Sequence, residues 1–162
     1  MRNILILLLI SFKIYAQDIL NYKEVYSENY LTYRNDNDKL FTGKIQKIKQ
    51  KNHIVFEVEF INGQLIKNTT YFNGKEKIIA DEKFYNSNRK IIKHIKYSSD
   101  NSYKWITYYE DNGFKKLEED YDNGKLVYKC DYVNNKKNGI SFLIDKKGEL
   151  KECKWENGKC IK

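Results

Sequence analysis

Five of the six Asn-Gly pairs in this chain punctuate it in a recurring way, at Asn62-Gly63, Asn73-Gly74, Asn112-Gly113, Asn123-Gly124 and Asn157-Gly158. Each closes a short phrase of aromatic or apolar residues: FINGQL, YFNGKE, YYEDNGF, YDNGKL and WENGKC, with IDKKGEL at Gly148 as a further copy. Both central residues of a tight type I′ turn need positive φ, which Asn tolerates and Gly adopts freely, so Asn-Gly between alternating apolar and polar residues marks a two-residue β-hairpin. The sequence therefore predicts an all-β fold: an antiparallel meander of repeated β-hairpins forming one extended sheet in a single domain. Gly63, Gly74, Gly113, Gly124, Gly148 and Gly158 are its structural turns. The absence of proline fits ladders that need every backbone N–H.

The hairpins recur with a period. The block FYNSNRKIIKHIKY (84–97) precedes YYEDNGFKKLEEDY (108–121) by 24 residues, which places Arg89 where the later block has Gly113. A third copy, LIDKKGELKECKW (143–155), is one residue shorter. Segments between turns are short, β-branched and aromatic, which disfavours helix everywhere except a short piece within Ile19 to Tyr26. If Asn112-Gly113 and Asn123-Gly124 are two-residue loops, Asp111 faces Phe114, Tyr108 faces Leu117, Tyr121 faces Leu126 and Leu117 faces Cys130. Leu126, Tyr128, Cys130 and Tyr132 then share a face with Ile106, Tyr108, Leu117 and Tyr121. Lys116, Glu118, Asp120, Lys129 and Asp131 fall on the other face, together with Val127 and Tyr109. One apolar and one charged face is the pattern of an antiparallel sheet wetted on one side.

Residues 1–16 read as an address. Arg2 is followed by a nine-residue run, Ile4 to Phe12, that is apolar but for Ser11, and a polar break after Ala16. That run is too short to span a bilayer, which takes roughly 20 apolar residues, and has the form of a signal peptide cleaved near Ala16. The expected location is extracytoplasmic, periplasmic or secreted. The expected organisation is 1–16 signal peptide, 17–40 a lead-in with one or two strands, and 41–162 hairpin repeats. Formal charge is +8, falling to +6 without residues 1–16, with 28 basic residues against 22 acidic ones. A basic excess suits an acidic protein or a phospholipid surface. Its lysines are interspersed with acids, and with the export signal this argues against nucleic acid.

The chain offers no catalytic constellation, phosphate loop or cofactor motif, so no catalytic, cofactor-binding or metal-ligating residue is assigned. His53 and His94 lie in separate segments and there is no C-x-x-C pair, so a metal site is not expected. With Asn157-Gly158 as a two-residue loop, Cys153 and Cys160 sit diagonally on neighbouring strands, where Cα atoms are roughly 7–8 Å apart, at the edge of disulfide reach. They are either bridged or, with Cys130, small core residues. Aromatic residues make up 15% of the chain, and those not needed for packing are the ones left for a partner. Tyr109, Trp105 and Tyr85 are the candidate partner-binding residues.

The Y-x-N-G-K-L phrases resemble the bacterial variant of the MORN repeat, found in proteins often labelled as the antitoxin component of a toxin–antitoxin pair. The likeness runs over about residues 30–160, beginning with YLTYRNDNDKLFTGKI (30–45), and departs at Arg89 and across the glycine-poor stretch 75–102. It implies an extended MORN-like sheet, and an exported, non-enzymatic protein that binds and neutralises a toxic protein partner. The alternative is an envelope-associated structural module that docks on lipid or polymer.

Overall fold

The computed structural model describes residues 18–49, 52–74 and 76–161; the expected signal peptide, 1–16, lies outside them. Fourteen strands form two sheets among these residues. The lead-in contributes β1 (Asp18–Leu20), a single 3-10 turn (Tyr22–Glu24), β2 (Val25–Glu28) and β3 (Leu31–Arg34). Then come β4 (Gly43–Lys49), β5 (His53–Ile61), β6 (Gln64–Tyr71), β7 (Ile79–Tyr85), β8 (Ile91–Tyr97) and β9 (Tyr103–Tyr109). The series ends with β10 (Lys115–Asp122), β11 (Lys125–Val133), β12 (Lys136–Ile144), β13 (Leu150–Glu156) and β14 (Lys159–Cys160). Strands β4 to β14 pair in chain order as an antiparallel meander, β1 adds a parallel edge beside β4, and β2–β3 form a separate hairpin. The expected all-β meander is the fold observed.

Most of the turns follow one of two rules. Asn62-Gly63, Asn123-Gly124 and Asn157-Gly158 have positive φ at both residues, as two-residue type I′ loops require. Asn134-Asn135 does the same without glycine. The second rule is a wider loop. Glu110 N–H donates to the Phe114 carbonyl and Gly113 N–H to the Glu110 carbonyl, so three residues, not two, connect β9 to β10. The same two bonds join Asn86 to Lys90 and Arg89 to Asn86, and again Asp145 to Glu149 and Gly148 to Asp145. Arg89, Gly113 and Gly148 each take the left-handed φ in these loops, so the 24-residue superposition of Arg89 on Gly113 holds in the backbone. The expected pairing of Asp111 with Phe114 does not, because the three-residue loop leaves Asp111 in the turn. Gly74 is a second correction. Neither it nor Asn73 has a left-handed φ, and β6 connects to β7 through a wide loop closed by Phe72 N–H on the Ile78 carbonyl.

Direct cross-strand partners share a face of the sheet, so the register sorts the side chains. Tyr108 pairs with Leu117 and Tyr121 with Leu126, as expected, but Cys130 pairs with Glu118. A bulge beside Asp120 and Tyr121 supplies the shift, because one extra residue on β11 exchanges the faces beyond it. Tyr128, Cys130 and Tyr132 consequently stand with Glu118 and Asp120, and Tyr109 joins them. Ile106, Tyr108, Leu117 and Tyr121 stand on the reverse with Glu119, Lys129 and Asp131. The expected division into one apolar and one charged face is therefore overturned: each face mixes aromatic rings with charge.

One row on the reverse face shows how such a sheet holds together without a second layer along most of its length. Gln46, Glu57, Thr69, Glu82, Ile95, Ile106, Glu119, Lys129, Phe142 and Glu152 are consecutive partners across ten strands. Glu57, Thr69, Glu82, Ile95 and Ile106 are buried, covered by their neighbours' long side chains. Buried carboxylates need partners, and they have them. Glu82 accepts from Tyr97 Oη at 2.7 Å and pairs with Lys67 at 2.5 Å; Glu57 binds Tyr71, Gln46 and Lys77. Lysine ammonium groups lie over the rings, Lys93 above both Phe84 and Tyr108 and Lys104 above Tyr121, adding cation–π attraction.

The hydrophobic cluster sits at the N-terminal end. Phe41, Ile45 and Phe60 are buried, with Leu20, Val25, Val58 and Leu65 packed on them. The lead-in is latched there by three backbone hydrogen bonds of 2.8–2.9 Å: Thr32 N–H to Gly63, Gly63 N–H to Phe41 and Phe41 N–H to Thr32. The other end is closed by a Cys153–Cys160 disulfide. Trp155 pairs with Cys160, which leaves the two cysteines on the expected diagonal, yet their Cα atoms are 5.9 Å apart and within bonding range. Right-handed twist, larger in terminal ribbons, shortens one diagonal. Cys130 is a free, buried thiol.

Candidate binding face

Strands β8, β9 and β10 run side by side, and on one face their side chains leave a shallow groove of about 540 Å³. His94, Lys96, Trp105, Thr107, Tyr109, Lys115 and Glu118 line it. The alternation of β9 places Trp105, Thr107 and Tyr109 on this face and the adjacent Tyr108 on the reverse. Two of the sequence candidates, Trp105 and Tyr109, are thus brought together. Tyr85 is not. It stands two strands away on β7, where burial and then the Asp81 carboxylate raise its pKa while a hydrogen bond with Asn68 opposes them.

Trp105 lies across the strands from Lys96 on one side and Asp120 on the other. Its indole is 43% exposed, and the Tyr103 ring supports it at a centroid distance of 4.7 Å. A large, half-open aromatic held from the side suits contact with a partner, because little side-chain entropy remains to be lost. Around it the charges are unevenly paired. Asp81 faces Lys96 in the register but binds the His94 Nε2 instead. Lys96 is thereby left without an acidic partner among the described residues. At the far wall Lys115 pairs with Glu118 at 2.5 Å and lies 4.8 Å over the Tyr132 ring, and Glu118 also accepts from Tyr132 Oη. Burial, and then that carboxylate, push the Tyr132 pKa upward.

His94 beside Thr107 and bonded to Asp81 has the residue types of a nucleophile–base–acid set, so its geometry matters. No hydrogen bond joins Thr107 to His94 among the described residues, and the His94 Nε2 is already committed to Asp81. A hydroxyl nucleophile needs its base within hydrogen-bond reach. Among the described residues, no group of three or more His, Cys, Asp or Glu is placed to hold a metal ion. No described helix is long and apolar enough to cross a membrane.

Sequence reasoning missed His94, Lys96, Lys115 and Glu118 as groove residues. The pairing of β8 with β9 brings in His94 and Lys96, and the irregularity between Lys115 and Leu117 turns Lys115 onto the face of Glu118.

No family model matches the chain, and no curated protein matches its sequence. Among solved structures, a chain described as "Crystal structure of GtfA/B complex bound to UDP and GlcNAc" is similar over 81% of this chain, at 11% identity and a TM-score of 0.32. The chain spans 23% of that chain's length.

Proposed function

We propose that this is an exported, non-enzymatic binding protein that holds a macromolecular partner against the groove face of its sheet. The observation that carries the reading is Trp105. It is half exposed in an open groove, beside Tyr109 and the unpaired Lys96, and steadied from the side by the Tyr103 ring. Interface anchors are typically such aromatics, and the unpaired Lys96 favours a partner with an acidic group opposite it. The Cys153–Cys160 disulfide supports export, since disulfides persist in oxidising compartments. The resemblance to the bacterial MORN variant supports the narrower version, in which the partner is a toxic protein neutralised by being covered. Tagged mature protein used as bait should retain a partner that Trp105→Ala and Tyr109→Ala release, while both variants melt within a few degrees of wild type. A partner retained equally by both variants, or a turnover abolished by His94→Ala, would overturn the reading.

A further inference from the structure

Along one rim of the sheet, at a place that shares no lining residue with the groove, two turns meet and each carries the wrong kind of residue for its backbone. The β2–β3 hairpin turns through Asn29 (φ 49°) and Tyr30 (φ 63°), a type I′ loop whose second position favours glycine. The β7–β8 loop places Arg89 (φ 57°) where its two sister loops have Gly113 and Gly148. Positive φ on a bulky side chain is an outlier, costs free energy, and persists where the surroundings or function require it. Here the two offending side chains face each other: the Arg89 guanidinium lies 6.0 Å from the Tyr30 ring centroid, and Tyr30 is 82% exposed.

Between them is a notch of about 560 Å³, in the range of small-molecule sites. Its remaining lining is neutral: Leu31, Ser87 and the amide side chains of Asn29, Gln64 and Asn88. No carboxylate lines it, and Arg89 is its one cation. The Arg89 Nε is buried without a hydrogen-bond partner, and no acid pairs with the guanidinium among the described residues. The other arginine among the described residues, Arg34, binds both Asp18 and Asp36.

We propose that this notch is a binding site for a sugar bearing a carboxylate, such as a uronic acid. One guanidinium matches one planar monoanion through two parallel N–H···O bonds. The open Tyr30 ring offers a flat platform for the apolar face of a pyranose, and the three amides supply donors and acceptors for its hydroxyls. A phosphate dianion would call for more cations than the single one present.

The turn geometry makes the test clean, because the deleting variants install the residue that the backbone favours. Glucuronate titrated into the full chain, followed by ¹H–¹⁵N correlation spectra, should move the amides of residues 29–31 and 87–89 saturably. Glucose should move them far less. Arg89→Gly and Tyr30→Gly should each weaken binding at least about tenfold, a loss of roughly 1.4 kcal/mol, while melting no lower than wild type. Four results would each overturn the proposal: no saturable shift, equal response to glucose, stronger response to glucose 6-phosphate, or an Arg89→Gly chain that melts lower and so shows the arginine to be structural. The notch is separate from the groove, so its failure leaves the binding-face reading standing.

Discussion

Gly63 and Gly124 occupy identical turns, Asn-Gly at φ +74° and +79°, yet their substitution by alanine should differ in cost. A Cβ at Gly124 meets nothing within 4 Å. Gly124→Ala therefore bears only the left-handed penalty of an L-residue, about 1–2 kcal/mol. A Cβ at Gly63 would sit 2.7 Å from Leu40 Cδ2 and 2.9 Å from the Thr32 carbonyl oxygen. The leucine can rotate away, but the backbone oxygen belongs to the latch in which Thr32 N–H donates to Gly63 and Gly63 N–H to Phe41. Relieving the clash strains two hydrogen bonds, each contributing about 1 kcal/mol, and loosens the lead-in over Phe41 and Phe60. Gly63→Ala should thus lose about 2 kcal/mol more than Gly124→Ala. For a chain of this size that is a further drop in Tm of ~4–8 °C. Paired thermal melts, with urea denaturation as a check, decide it. Equal destabilisation would refute the latch as a stabilising contact.

Stability should fall at alkaline pH. Burial holds the pKa of Tyr97, Tyr128 and Tyr132 above the ordinary value of 10.0, with Glu82 adding to the first and Glu118 to the last. A neutral acid with a raised folded-state pKa contributes stability that is complete below pH 10 and lost as pH rises above it. Melting temperatures that stay flat from neutrality through pH 11 would contradict this, and Tyr132→Phe should flatten the decline at a neutral-pH cost of about 1 kcal/mol. Reducing Cys153–Cys160 opens a loop shorter than 15 residues, so the loss should stay below about 3 kcal/mol. Faster amide exchange should then be confined to β13 and β14, and exchange spreading into β8 would show the sheet to be more cooperative than nearest-neighbour packing allows.

The strand order and period were legible because turn chemistry is local. Asn62-Gly63, Asn123-Gly124 and Asn157-Gly158 announce type I′ loops, and the 24-residue spacing carries Arg89 onto Gly113 even without a glycine. The faces were not legible. A bulge is one residue of slippage with no composition of its own, and at Asp120 and Tyr121 it moved Cys130, Tyr128 and Tyr132 to the face of Glu118. The three-residue loop at 111–113 was hidden by the same Asn-Gly pair that elsewhere closes two-residue loops. Trp105 and Tyr109 share a face because they are four apart on one strand, whereas His94, Lys96 and Glu118 join them only through pairing with β8 and β10. Tyr85 lies apart from that groove on β7, where Asn68 of the neighbouring strand and Asp81 of its own strand influence it.

Tyr108 and Tyr109 are adjacent in sequence and stand on opposite faces of one sheet, which makes them a matched pair of probes. Replacing each in turn with p-azidophenylalanine, irradiating the protein in the presence of its captured partner, and comparing adduct yields tests the binding face directly. The account predicts an adduct from position 109 and essentially none from position 108. An adduct from position 108 alone, or equal yields from the two, would contradict it.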